Sequence, residues 1–461
     1  MSRKRRSFFV LTVLFVFAAS ATLLRGQEPA AQPTENREVV PPEEDAKSDL
    51  TRADKALIGP GETVTTNAAA QAKAAFDAKF NEYKKAVREI EKMQTQFQSA
   101  DAATRQRLNT QLTGQIAHAQ SLVNEMLEAA IAAYRFAPNT DEQITELLIA
   151  VARYDVIGRQ IGRGQPGQPA KGGNPQDMYY AIDGGDRYER ALPVLKLLVE
   201  NDAGSPELYV WGFLAAFATN DFELASKWLQ EAQKKDAIQP IAEAAGKSDR
   251  EDAGLMEAVM HQISSSAAVL EEYRQLWAKE SQIRAAEAAA DDLPRVKLTT
   301  TKGEIVVELF ENEAPQSVAN FLTLVKQGFY DGSPFHRVLP KFMAQGGAKD
   351  EEGQGGPGYT IRCECYRPDY RRHFRGTLSM AHVGRRDTGN SQFFLTFVPT
   401  AHLNGKHTAF GRVIEGMEVL ADLQRRSTMH ETNPPKADRI LKAEVVRARG
   451  HEYKFEKLPG R

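Results

Sequence analysis

Cysteine is nearly absent: two in 461 residues, too few for a disulfide framework, so each folded region must be held by its own core. Charge of one sign is lacking too. Fifty-nine basic residues stand against 61 acidic ones, for a formal net charge of −2, and no global electrostatic footprint for nucleic acid results. The pairs Arg371-Arg372 and Arg385-Arg386 lie in loops with no aromatic stacking pattern around them, and read as a solvated rim. Apart from one stretch at the amino terminus, no run is long and apolar enough to span a bilayer, which excludes a polytopic membrane protein. With 42% hydrophobic and 26% charged residues, the chain has a globular composition, and its length implies two or three domains.

The exception is residues 1–26. Arg3, Lys4, Arg5 and Arg6 precede seventeen uncharged residues, Phe8–Leu24, with small residues at Ala19 and Ala21. This is the pattern of a secretory signal peptide, and its length also permits an uncleaved membrane anchor. Either way the rest of the chain is expected to be exported, to a periplasm or cell envelope in a bacterial cell. Residues 27–67 are acidic and Pro-rich and read as a disordered linker.

From residue 68 to 290 the texture is helical. Phe76, Phe80, Tyr83 and Val87 form an amphipathic stripe, and further helices are expected over Leu108–Phe136, Thr140–Ile157, Arg187–Glu200, Pro206–Thr219, Phe222–Lys235 and Met256–Ala290. The polar stretch Gly158–Asn174 reads as a loop. Residues Leu208–Ala237 resemble a tetratricopeptide-type helical hairpin, with Gly212 and Ala215 small at the crossing, a turn at Asn220-Asp221, and Ala225, Trp228, Leu229 and Ala232 on the second helix. A bundle with small residues at its crossings is the plainer alternative. Such helices would bind a client or an envelope partner.

After Pro294 the period changes to two. Val296 and Leu298, then Ile305, Val307 and Leu309, alternate around Thr301-Lys302-Gly303, a hairpin. Short strands and two helical patterns, Pro315–Gln327 and Gly416–Arg425, fill residues 294–449, followed by a tail, 450–461. Five blocks stand out in this region: Phe335-His336-Arg337-Val338, Phe342-Met343-Ala344-Gln345-Gly346-Gly347, Gly376-Thr377-Leu378-Ser379-Met380-Ala381, Ser391-Gln392-Phe393-Phe394-Leu395-Thr396, and Leu403-Asn404-Gly405-Lys406-His407 running on to Val413.

In their order and spacing these blocks resemble the cyclophilin-type peptidyl-prolyl cis–trans isomerases. The resemblance implies a multidomain α plus β chain, the helical region being followed by a closed, antiparallel, eight-stranded barrel with two capping helices. It also implies isomerisation of Xaa–Pro bonds in unfolded or flexible polypeptides.

The chemistry fits the residues. Rotation about the bond faces a barrier of about 18–20 kcal/mol from amide conjugation. Lowering it calls for no nucleophile, metal or cofactor, only for better binding of the twisted amide than of either planar form. Arg337 is the candidate donor to the pyramidal prolyl nitrogen, with Gln345 and Phe342 beside it as catalytic residues. Met343, Phe394, Leu403 and His407 are expected to wall the proline pocket, Ala381 and His382 to bind the preceding backbone, and Gln392 to position Arg337 or a substrate carbonyl. Taken singly, such residues are more often core or surface; their place within the blocks makes the functional reading. Phe393 is expected to point away from Phe394, into the core.

Two departures from the family pattern stand at His402, often Trp, and His382, often Asn. They are expected to weaken cyclic-peptide inhibitor binding and to alter the preference before proline. Cys363 and Cys365, with His373 and His382 near, suggest a metal site only weakly. The alternative function is a proline-peptide-binding scaffold with little turnover.

Overall fold

In the computed structural model the described residues are 66–160, 182–247, 252–427 and 434–459. The targeting segment and all but the last two residues of the expected linker lie outside them, as does most of Gly158–Asn174. Two compact units divide between Leu148 and Ile149.

In the first unit, α1 (Thr66–Ser99) pairs with α2 (Ala102–Phe136). Asp101 starts α2 by accepting the Thr104 amide at Oδ1, 2.8 Å. The stripe Phe76, Phe80, Tyr83 and Val87 is buried, continued by Ile90. A third helix, α3 (Glu142–Ile157), begins here and ends in the second unit.

The second unit holds the two-residue strands β1 (Arg159–Gln160) and β2 (Ile182–Asp183), then α4 (Tyr188–Glu200), α5 (Leu208–Ala218), α6 (Phe222–Lys234), α7 (Gln239–Ala245) and the long α8 (Ala253–Ala290). The sequence pattern did not indicate α7. At the α5–α6 crossing Gly212 lies against Trp228, and a Cβ there would sit 2.1 Å from the indole. Asn220 turns the chain at φ 66°, and Asp221 caps α6 through the Leu224 amide, 3.2 Å.

The same unit continues without a break into the β region: β3 (Arg295–Thr300), β4 (Gly303–Leu309), α9 (Pro315–Lys326), β5 (Arg337–Leu339), β6 (Met343–Gly346), β7 (Tyr359–Thr360), β8 (Thr377–Met380), β9 (Phe393–Thr396), β10 (Ala409–Glu415), α10 (Met417–Asp422), β11 (Arg426–Ser427), β12 (Ile440–Arg447) and β13 (Leu458–Pro459). Nine strands form one antiparallel sheet in the order β11-β5-β6-β9-β8-β10-β4-β3-β12.

The expected closed eight-stranded barrel is therefore corrected to an open nine-stranded half-barrel. Its edges, β11 and β12, form no ladder with each other. The ends approach through the single bridge Pro334–Arg439, flanked by the bonds from Phe335 N to Asp438 O (2.8 Å) and from Ile440 N to Ser333 O (2.9 Å). On that side β5 and β11 are only three and two residues long, too short to extend the bridge into a ladder. The tail folds back: Leu458-Pro459 pairs with Tyr359-Thr360, and His451 Nε2 lies 2.5 Å from Glu311 Oε1.

The expectation for Arg371 is also corrected. It is 3% exposed, not part of a solvated rim, and is held by Glu280 (2.7 Å) and Glu287 (2.5 Å) of α8. A loop arginine became a buried one because α8 supplies its carboxylates, a partnership with no local signal.

Candidate active site

Strand register assembles the site. Arg337 of β5 lies opposite Gln345 of β6, Gln345 opposite Phe394 of β9, and Phe394 opposite Ser379 of β8. Directly opposed residues project to the same side of a sheet, so these four form one row on one face. Leu339 and Met343, two residues along their strands, extend that face. Phe393 falls on the other side, where its ring packs against Phe321 at 5.5 Å and Tyr330 at 5.6 Å, as its alternation with Phe394 required.

Beside the row is an apolar cluster of Leu339, Phe342, Met343, Ala381 and Phe394, with the half-buried Leu403 packed on it. Phe342 enters from the β5–β6 turn, where Lys341 has φ 59°. The fully buried Lys341 ammonium donates to Val156 O at 2.9 Å, and burial, against the opposing charge of Asp186, pushes its pKa down to about 8. Ala381 is fixed by its amide bond to Gln392 O, 3.0 Å.

Polar groups rim the cluster. Gln345 Nε2 donates to Gln392 Oε1 at 3.0 Å, and Gln392 Nε2 donates to Gly353 O at 2.9 Å, so both amides have a set orientation. His407 meets Phe394 edge-on at 5.4 Å and donates from Nδ1 to Met380 O at 2.9 Å. Burial, outweighing that bond, lowers its pKa to about 4, so the ring is neutral at pH 7. His382 stacks on His407 with centroids 3.9 Å apart; its Nε2 donates to Lys406 O (2.9 Å) and its Nδ1 accepts the Gly384 amide (3.1 Å). His402 takes the place of the missing indole and packs at 5.5 Å from Phe342.

All ten sequence-predicted residues (Arg337, Gln345, Phe342, Met343, Ala381, His382, Gln392, Phe394, Leu403 and His407) thus fall on this face or its rim. Leu339 was missed, although its place two residues after Arg337 on one strand was the available signal. Cys363 and Cys365 are buried free thiols. Cys363 Sγ accepts the Asp387 amide at 3.2 Å, while His373 is engaged elsewhere, and among the described residues no three His, Cys, Asp or Glu side chains are grouped to hold a metal.

Arg337 and Gln345 thus lie in one row beside an apolar cluster, on a half-barrel that carries two helices. The family model for cyclophilin type peptidyl-prolyl cis-trans isomerase/CLD matches residues 295–445. A peptidyl-prolyl cis-trans isomerase of Helicobacter pylori is 52% identical over 131 residues, which cover 28% of this chain and 78% of that protein. Peptidyl-prolyl cis-trans isomerase B of Bacillus subtilis is 49% identical over 128 residues, 28% of this chain and 88% of that protein. A crystal structure of a Cryptosporidium parvum cyclophilin, in the presence of the dipeptide Ala-Pro, aligns at 31% identity with a TM-score of 0.31, covering 33% of this chain and 99% of that one. The chain belongs to the cyclophilin-type peptidyl-prolyl cis–trans isomerases, and the domain that makes it one is its carboxy-terminal third.

Proposed function

We propose that the chain accelerates cis–trans exchange of Xaa–Pro bonds in exported, unfolded or flexible polypeptides, by non-covalent binding of the twisted amide. The observation that carries this reading is the alignment of Arg337, Gln345 and Phe394 in one cross-strand row beside the apolar cluster.

In the half-rotated amide, conjugation is broken and the prolyl nitrogen becomes a pyramidal acceptor. The guanidinium of Arg337 donates to it. Because neither planar isomer offers that lone pair, the bond forms only in the transition state and lowers the barrier. Phe342, Met343, Phe394 and Leu403 hold the proline ring and keep water from the amide, while the peptide segment before it rotates. Gln345 and Gln392, already hydrogen-bonded to each other, orient the substrate carbonyl and the guanidinium. Neutral His407 closes the notch without placing a second charge beside Arg337. His382 meets the residue before proline and sets a preference there.

The amino-terminal segment supports export and either cleavage or anchoring, which mass spectrometry of the mature amino terminus distinguishes. The helices supply a surface for a client or envelope partner, of the tetratricopeptide kind at α5–α6.

The deciding experiment is a proline-tetrapeptide isomerisation assay on the full chain. Arg337→Ala is expected to lower kcat/KM by roughly 100–1000-fold, the usual cost of removing a transition-state donor, with an unchanged melting temperature. A variant as fast as the wild type would show that Arg337 is not the transition-state donor, and a wild type without rate enhancement would show that the row is a binding surface without turnover.

A further inference from the structure

A residue of α8, before the family-matching segment 295–445, reaches two neighbours of the site. Tyr273 lies midway along α8 and is 0% exposed. Its ring is wedged among Phe374 (5.4 Å), Phe222 (5.7 Å) and Phe217 (6.1 Å). Its hydroxyl donates to His373 O at 3.1 Å and accepts from Asn404 Nδ2 at 3.1 Å. Both of its polar functions are therefore spent on two β-domain residues that adjoin the proline notch.

Each residue leads to a different wall. Asn404 follows Leu403, and its Oδ1 accepts both the His373 amide (2.9 Å) and His373 Nδ1 (3.1 Å). The His373 carbonyl also takes the Thr400 amide (3.0 Å), and Thr400 O takes the Leu403 amide (3.1 Å), which anchors the 3-10 turn Ala401–Leu403. On the other side, the His373 ring stacks on Phe394 at 6.0 Å and 11°, with Nε2 2.9 Å from Ser379 Oγ. Ser379 is the cross-strand partner of Phe394. Tyr273 thus sits at the node from which Leu403 and Phe394 are both held.

We propose that Tyr273 is a positioning residue for the proline pocket: through Asn404 and His373, the long helix α8 sets where Leu403 and Phe394 stand, and so how tightly a proline ring is gripped. The proposal rests on the isomerase reading for its substrate. A wall that grips the ring equally in both planar isomers and in the twisted state contributes uniform binding, which appears in KM and not in kcat.

The test is Tyr273→Phe in the full chain, which keeps the ring and removes only the hydroxyl. KM for a proline tetrapeptide, and its dissociation constant measured by fluorescence titration, are expected to rise about 3–10-fold, as for one lost hydrogen bond. The turnover number is expected to change less than twofold. Asn404→Ala is expected to raise KM as well, and the double variant to raise it by less than the product of the two single effects, because part of the hydroxyl's hold passes through that amide. Wild-type KM and affinity in Tyr273→Phe, or two effects that multiply, would overturn the proposal. Should Tyr273→Phe fail to fold, Asn404→Ala alone decides, an unchanged KM counting against it. The dissociation constant is read without turnover, so an inactive wild type would defeat the isomerase reading and leave this one testable.

Discussion

Within the second compact unit, the β region and the helices before it hold opposite halves of the same ion pairs. In four of them the β region supplies a buried cation, Arg371, Arg375, Arg412 or Arg425, whereas Arg187–Asp422 runs the other way. The helical side supplies the carboxylates for those four. Glu280 and Glu287 hold Arg371, Glu287 also reaches Arg412 at 2.7 Å, Glu189 holds Arg375 at 2.6 Å, and Asp186 holds Arg425 at 2.9 Å. Removing one member of a buried pair costs far more than the intact pair contributes, because the other is left charged in a poor solvent. The difference teaches that the residues of the candidate site are written within the β region, whereas the buried cations that support them are matched by residues 84 to 239 positions away.

The largest break in this comparison is to separate the two sides. A fragment of Pro294–Arg461 lacks every helical-side carboxylate named above and bares Phe374, which in the intact chain packs at 5.1 Å from Trp277 of α8. It is expected to express as an unstable, aggregation-prone species without the cooperative thermal transition of the longer chain, and to show a small fraction of its isomerase activity. Circular dichroism melting with the tetrapeptide assay measures both. A fragment as stable and active as the full chain would make the helical side a passive neighbour.

A single substitution sharpens the point. Asp186 is 0% exposed; its carboxylate accepts the Lys341 amide at 3.0 and 3.1 Å, Arg425 Nη2 at 2.9 Å and the Tyr188 hydroxyl at 3.0 Å. Asp186→Ala strands Arg425 and loosens the turn that carries Phe342. The expected loss is about 3–5 kcal/mol in urea unfolding, against only a small fraction of it for the exposed Arg274→Ala, whose partner Glu223 is exposed too.

The same contrast explains what was legible. Arg337, Gln345 and Phe394 could be placed because strand alternation and fixed block spacing act over a few residues, and the stripe from Phe76 to Val87 because helical period does the same. Gly212 was readable as a crossing, since only a residue without Cβ fits against Trp228. Arg371 was misread and Tyr273 unmarked, because an ion pair across 84 or 91 residues, or a hydroxyl 100 residues from its acceptor, leaves no periodic trace. Closure of the barrel was over-expected for a similar reason: whether β11 and β12 pair depends on strand lengths, not on the motif blocks.

The smallest effect separates the sides by pH. His373 is fully buried; desolvation, outweighing its bond to Asn404, lowers its pKa to about 3, against about 6.5 in the unfolded chain. Between these values the unfolded state binds the extra proton, so this contribution to stability is whole above about pH 6.5 and shrinks as the pH falls toward 3. At pH 5 the loss from this one ring is about 2 kcal/mol, from about 1.4 kcal/mol per pH unit. Glu280, on the helical side, behaves differently. Burial raises its pKa, but the bonds and charge of Arg371 outweigh burial and hold it below the usual value, so its contribution survives to about pH 4.5 and is lost only below that. Urea unfolding at pH 7 and pH 5 should therefore show His373→Gln losing about 2 kcal/mol less than the wild type over that interval, while Glu280→Gln, destabilised at both pH values, keeps the wild-type difference. Equal losses in wild type and His373→Gln would mean that the ring is already charged when folded. It would then donate from both nitrogens, to Asn404 Oδ1 and to Ser379 Oγ, and the wall behind Phe394 would carry a positive charge.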